Sequence, residues 1–234
     1  ARADGSKRLL LAYLSIAELD RSRSLWKPEW AAKPPSWMGS DPRATSGPIP
    51  VRYWIPAWRR LAFEAPDSLL NRMIAAGYDG IYLDKADAYS EFEKENSDAR
   101  ADMIAFIQAL SLKAKALNPH FLVVVQNAEE LTTSDDVVAS IDGITKEDLL
   151  YGADPAASRN AADAVRDSVH RLAGLRDKGK AVFVLEHVSR VDIVLSALRE
   201  IARYDARFVP HFTERSTQAQ TNGAEERAEA GLQD

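Results

Sequence analysis

What most limits how this chain can fold is a recurrence of short, unbroken apolar runs, each of strand length and each followed by a segment of helical period. The runs are Leu9 to Ile16 (LLLAYLSI), Val51 to Trp54, Gly80 to Leu83, Phe121 to Val125 (FLVVV), Ser140 to Ile144, Ala181 to Leu185 (AVFVL) and Arg207 to Phe212. Runs that are apolar throughout, rather than at every second residue, suit strands covered on both faces, as in a parallel sheet. Between them Met103, Phe106, Ile107, Leu110 and Leu117 repeat at helical spacing, as do Val165, Val169, Leu172 and Leu175, and then Val191, Val194, Leu198 and Ile201. Asp67 and Ser68, after Pro66, mark a helix start that Gly77 closes, and Asn118-Pro119 stops the long helix before the next strand. This alternation predicts an α/β protein with a parallel sheet.

Two architectures fit: an open doubly wound sheet and a (β/α)8 barrel. The first strand of a nucleotide-binding sheet normally leads into a glycine-rich phosphate loop. Here it leads into AELDRSRSLWKPEW, which has no glycine. Polar and acidic residues follow nearly every strand, which is where a barrel builds its site. A (β/α)8 barrel over residues 1–213 is therefore expected. Glu214 to Asp234, with one Leu and no aromatic residue, is expected to be a disordered polar tail. About seven strands are found rather than eight. The stretch from Trp26 to Trp58 carries Pro28, Pro34, Pro35, Pro42, Pro48, Pro50 and Pro56, so it is neither one helix nor one strand. A loop of that length in a compact domain is usually functional.

Composition removes several function classes. A net charge of −5 without a basic stripe argues against a nucleic-acid partner. The absence of cysteine excludes disulfides and thiolate metal sites. No run approaches the roughly 18 apolar residues of a membrane span. The chain opens on Ala1 rather than Met, so it is expected to be a processed product from which any signal peptide has gone. No metal and no cofactor are expected, and the chain is expected to act as a monomer.

The residues that could carry chemistry sit at the C-terminal ends of the runs: Glu18 and Asp20; Asp84 and Asp87; Gln126, Asn127, Glu129 and Glu130; Lys146, Glu147 and Asp148; Glu186 and His187; and His211 near the last strand. One acid after a strand usually caps the next helix or is solvated. Acids after five or six strands, gathered at one barrel mouth, point to chemistry. Paired carboxylates fit glycoside hydrolysis, where one protonates the leaving oxygen and the other is nucleophile or base. They also fit a divalent metal, but no D-x-D-x-D-G loop and no H-x-x-x-H pair is present. No G-x-S-x-G elbow accompanies the scattered histidines. All five tryptophans, Trp26, Trp30, Trp37, Trp54 and Trp58, lie in the proline-rich stretch and just after it. At least three are expected to form a satellite core, leaving one or two, with Tyr53 and Tyr89, to face a sugar ring.

Six segments, in order, resemble glycoside hydrolase family 114, the endo-α-1,4-polygalactosaminidase-like barrels. They are AYLSIAELDRSRSLW, VRYWIPAW, GYDGIYLDKADAY, VVQNAEEL, IDGITKEDLLYG and VFVLEHV. The resemblance runs from about Arg8 to about Phe212. It implies a (β/α)8 barrel whose first strand, ahead of the LSI segment, is missing or degenerate here, because Ala1 to Lys7 is too short and polar to supply it. It also implies a retaining mechanism with an acidic pair that falls on Asp84 and Glu147; Asp84 is expected as nucleophile and Glu147 as acid/base, although the sequence itself leaves the order of the two roles open. Substrate contacts are expected from Tyr13, Ser15, Glu18, Tyr53, Trp54, Asp87, Tyr89, Gln126, Asn127, Glu129, Glu186 and His187. The chain departs from the family at Ala17, where the family has Gly, at Leu19-Asp20, where it has Ala-Glu, and at His187, where it has Tyr.

The resemblance thus implies an endo-acting enzyme on an α-linked, amino-sugar polysaccharide of the galactosaminogalactan type, secreted or periplasmic. An acid-lined cleft would steer such a cationic polymer. The competing expectation is a carbohydrate-binding barrel that has lost turnover. An aminoacyl-tRNA-synthetase-like role is discounted because there is no H-I-G-H motif and no basic face.

Overall fold

A computed structural model describes residues 7–43, 47–152 and 158–214. The tail expected from 214 onward therefore lies, apart from its first residue, outside the described residues, as do residues 1–6 of the segment judged too short for a strand.

Among the described residues there are eight strands: β1 (Leu11–Ser15), β2 (Glu18–Leu19), β3 (Ile49–Pro50), β4 (Gly80–Asp84), β5 (Leu122–Gln126), β6 (Gly143–Glu147), β7 (Ala181–Glu186) and β8 (Val209–Phe212). Six form one parallel sheet in the order β1-β4-β5-β6-β7-β8, and β2 pairs antiparallel with β3. The helices are α1 (Pro56–Arg59), continued by a π-helical turn over Arg60–Glu64, then α2 (Leu69–Ala75), α3 (Tyr89–Phe92), α4 (Ala99–Leu117), α5 (Asp135–Ser140), α6 (Ala162–Asp177) and α7 (Val191–Tyr204).

The sheet curls. One apolar cavity of about 290 Å³ is lined by a residue from each of its six strands: Leu11, Tyr82, Val124, Thr145, Phe183 and His211. Successive side chains on a strand point to opposite faces. The alternate set, Ala12, Leu14, Ile81, Leu83, Val123, Val125, Ile144, Val182 and Val184, is buried in the core that also holds Met103, Phe106, Ile107, Leu110, Leu172 and Ile201 of the helices. Apolar residues on both faces explain the unbroken runs in the sequence. Among the described residues β1 and β8 are not paired with each other, so the barrel is not closed, consistent with a missing first strand.

Two expectations need correction. Val51 to Trp54 is not a strand of the sheet: only Val51 bridges, antiparallel to Met38, and β1 pairs directly with β4. The segment is drawn into the loop by Arg52, whose guanidinium donates to the Met38 carbonyl at 2.6 Å and pairs with Glu95. The strand sought at Ser140 to Ile144 begins at Gly143 instead. Ser140 is still helical, its hydroxyl donating to the Asp136 carbonyl at 2.7 Å. The shift makes Glu147 the last residue of β6 rather than a residue beyond it.

Two glycines are demanded by geometry. Gly77 closes α2 with φ of +83°, a left-handed conformation natural to glycine. At Gly80, a Cβ would lie 2.5 Å from the Leu122 carbonyl oxygen and 2.6 Å from a Leu11 methyl, so only glycine lets β4 pass between its neighbours. The start of α2 is as expected, the Ser68 hydroxyl accepting from the Asn71 amide at 3.4 Å.

Candidate active site

Four consecutive strands end in polar residues: Asp84 on β4, Gln126 on β5, Glu147 on β6 and Glu186 on β7. The first three share the inward parity of Tyr82, Val124 and Thr145, so their side chains emerge on the concave face at the barrel mouth. β7 runs for six residues where its three predecessors run for five, and that extra residue turns Glu186 to the opposite face.

Asp84 is held from two sides. The Tyr13 hydroxyl donates to one carboxylate oxygen at 2.5 Å, and the Lys85 amide donates to the other at 2.7 Å. Tyr13 lies on β1 directly opposite Tyr82, with Ser15 opposite Asp84. Behind Asp84, the Lys85 ammonium forms an ion pair with Glu18 at 2.9 Å. Lys85 is held above its ordinary pKa: burial alone would lower it, but Glu18 and the charges of Asp84 and Asp87 outweigh that.

Glu147 is half-buried, and burial raises its proton affinity above that of an ordinary glutamate. The Asp84 charge adds to the rise, while His187 and the Gln126 amide oppose it. Asp87 on the rim, exposed at its surface, is likewise raised, first by the protein around its carboxyl and then by Asp84 against the pull of Lys85 and Lys146.

The backbone that presents these groups is unusual. Lys85, Asn127 with Ala128, and Asp148 all have positive φ, between 50° and 61°, and each follows directly on the end of β4, β5 or β6. Non-glycine residues in this region are uncommon, and they concentrate where function over-determines the backbone. The kinks interlock: the Asn127 side-chain oxygen accepts from the Glu147 amide at 3.0 Å, and the Asp148 amide donates to the Leu185 carbonyl at 2.8 Å. The Asp148 carboxylate pairs with the His187 ring at 2.8 Å.

The structure thus brings Tyr13, Ser15, Asp84, Gln126 and Glu147 to the concave face, with Glu18, Asp87, Asn127 and His187 around the mouth. It withdraws four residues expected to touch substrate. Tyr53 is fully buried, its hydroxyl donating to the Ala99 carbonyl at 2.7 Å. Tyr89 is buried at the start of α3. Glu129 is buried, paired with Lys146 at 2.8 Å and accepting from the Ser168 hydroxyl at 2.7 Å. Glu186 is fully buried and accepts from backbone amides. Trp54 is half-buried with its ring against Tyr53 and Phe92. The other four tryptophans form a chain of ring contacts from Trp26 through Trp30 and Trp37 to the buried Trp58, which is a satellite core. Sequence reasoning missed Lys85, whose position one residue after an acidic strand end was the available signal, and named Asp148 without its pairing to His187. Among the described residues no three histidine or acidic groups converge to hold a metal ion. No helix among them is long and apolar enough to cross a membrane.

A parallel barrel that opens carboxylates at its strand C-termini is an arrangement that barrel glycosidases use. The sequence profile of glycoside-hydrolase family GH114 matches residues 1–226, and the chain belongs to that family. An uncharacterized protein of Deinococcus radiodurans is 33% identical over 215 residues, covering 92% of this chain and 67% of the relative. The uncharacterized protein MJ1477 of Methanocaldococcus jannaschii is 29% identical over 188 residues, covering 77% of this chain and 52% of the relative. The chain therefore spans about two thirds of the first relative and about half of the second. The glycoside hydrolase domain of PelA from Pseudomonas aeruginosa has the same fold, with a TM-score of 0.64 at 18% identity over 88% of this chain and 78% of that one.

Proposed function

We propose that this protein is a retaining, endo-acting glycosidase that cleaves an α-linked amino-sugar polysaccharide with Asp84 as nucleophile and Glu147 as acid/base. The observation that carries the reading is the difference between the two carboxyl groups on one concave face. Glu147 is pushed by burial, and next by the Asp84 charge, toward the protonated form that a leaving oxygen needs. Asp84 is oriented by the Tyr13 hydroxyl and the Lys85 amide. A carboxylate offers about four lone-pair sites, so two donors leave it able to attack.

In the first step Asp84 attacks the anomeric carbon while Glu147 gives its proton to the departing glycosidic oxygen. In the second, Glu147 takes a proton from water, which displaces Asp84 from the sugar. This chemistry needs the carboxyl groups about 5–5.5 Å apart. Gln126 and His187 flank Glu147, and the exposed carboxylate of Asp87 adds negative charge at the rim that suits a polymer bearing free amines. Such a substrate lies outside the cell, and the enzyme is accordingly proposed to act there.

The test is incubation with deacetylated and acetylated galactosaminogalactan-type polymers, following released oligosaccharides, with Asp84→Asn and Glu147→Gln in parallel. Cleavage of the deacetylated polymer that is lost in both variants supports the reading. Cleavage that survives both substitutions overturns the mechanism. No cleavage across a broad panel of α-glycans, with binding retained, favours a barrel that binds carbohydrate without turnover.

A further inference from the structure

The segment that follows Glu147 is tied down by hydrogen bonds from two sides. Asp148 takes a left-handed turn, Leu149 and Leu150 are buried, and the strand does not continue. A buried turn leaves backbone donors and acceptors without water, and each needs a partner inside the protein. Two side chains supply them. The fully buried Glu186 accepts from the Leu150 amide at 2.7 Å and from the Tyr151 amide at 3.3 Å. From the other side, Asn160 donates to the Asp148 carbonyl at 2.7 Å and the Leu149 carbonyl at 3.1 Å, while its own amide donates to the Leu150 carbonyl at 2.9 Å.

We infer that Glu186 is a positioning residue for catalysis: with Asn160 it fixes the turn that carries Glu147, so turnover depends on it although it touches no substrate. The inference rests on the reading of Glu147 as acid/base. A carboxyl side chain is suited to the task because its two oxygens reach two neighbouring amides at once, and when ionised it brings no competing donor. The turn also carries Asp148, whose carboxylate holds the His187 ring, and that ring acts on Glu147. A slackened turn would therefore displace the Glu147 carboxyl and its histidine neighbour together. A displacement of about 1 Å in a catalytic group costs about 100-fold in rate.

Two substitutions separate positioning from packing. Glu186→Leu fills the same buried space with no acceptor, and Glu186→Gln keeps one acceptor for the 2.7 Å bond to Leu150. If Glu186 served packing alone, Leu would be as active as Gln. The expected result on deacetylated galactosaminogalactan is a kcat lower by about 100-fold in Glu186→Leu with KM altered less than about 3-fold, and substantial recovery in Glu186→Gln. Amide hydrogen exchange at Leu150 and Tyr151, which needs no substrate, should quicken in Glu186→Leu and return toward the wild-type rate in Glu186→Gln. Should Glu186→Leu fail to fold, Asn160→Ala loosens the same turn from its outer side and should also lower kcat with KM unchanged.

The inference is overturned if Glu186→Leu turns over within about 3-fold of wild type, or if Glu186→Gln is no better than Leu. Failure of the underlying reading looks different: Glu147→Gln would keep full activity, or the wild type would cleave nothing. In that event the exchange comparison alone decides whether Glu186 holds the turn.

Discussion

The buried carboxyl of Glu186 makes a quantitative prediction about stability. Removal from water pushes its pKa up to about 7, and the Asp148 charge adds to the rise, against the backbone amides of Leu150, Tyr151 and Leu149, which favour the ionised form. Its ordinary value is 4.5. Between those two values the folded protein holds a proton that the unfolded chain has released, so folding stability falls as pH rises through that window. The contribution is fully present below about pH 4.5 and is gone above about pH 7. Each pH unit between the two values is worth about 1.4 kcal/mol, which makes the loss on the order of 3 kcal/mol. Glu186→Gln removes the titration while keeping the shape. Urea unfolding followed by tryptophan fluorescence, at about pH 5 and about pH 8, gives the four free energies required. The variant should gain about 2–3 kcal/mol on the wild type between the two conditions, since part of the loss has already occurred at pH 5, whatever constant cost the substitution brings. Glu147 and Asp87 titrate in both proteins and largely cancel from this double difference. A gain below about 1 kcal/mol would refute the reasoning that burial of Glu186 outweighs the amides that favour its ionised form.

Tyr13→Phe removes the hydroxyl that donates to Asp84, and the loss of a hydrogen bond to a charged group should lower kcat by about 10- to 100-fold with little effect on folding. Tyr53→Phe should leave kcat and KM unchanged and cost about 1 kcal/mol in chemical denaturation, because that hydroxyl serves the Ala99 carbonyl and not the cleft. Gly80→Ala forces a Cβ against the Leu122 carbonyl and should destabilise by about 1–3 kcal/mol, visible as a lower Tm. Asp84→Asn removes a charge that raises Glu147, so the carboxyl carbon of Glu147, followed by NMR, should titrate at lower pH than in the wild type.

The order of elements and the parallel sheet were legible from sequence because covered strands and amphipathic helices leave different apolar periods. Asp84 and Glu147 were reached through the motifs around them, and the inward parity of both strand ends is compatible with that pairing. Local chemistry was enough where it was decisive: the Ser68 cap and the Gly77 turn needed no distant partner. The strand expected at Val51 was lost because Arg52 finds its partners at Met38 and Glu95, contacts that no local propensity encodes.

What the sequence by itself determined was an alternating α/β chain with an acid at the end of most strands. Which of those acids face the barrel interior was settled only by the tertiary structure. A strand apolar on both faces carries no alternation, so AVFVLE does not say which way its last residue points. One extra residue in β7 turns Glu186 to the opposite face, while the same kind of residue at the end of β6 keeps the inward parity, where the Asp84 charge raises its proton affinity. A period of two makes a one-residue difference in strand length a change of face, and that length is set by the pairing with β6 and β8.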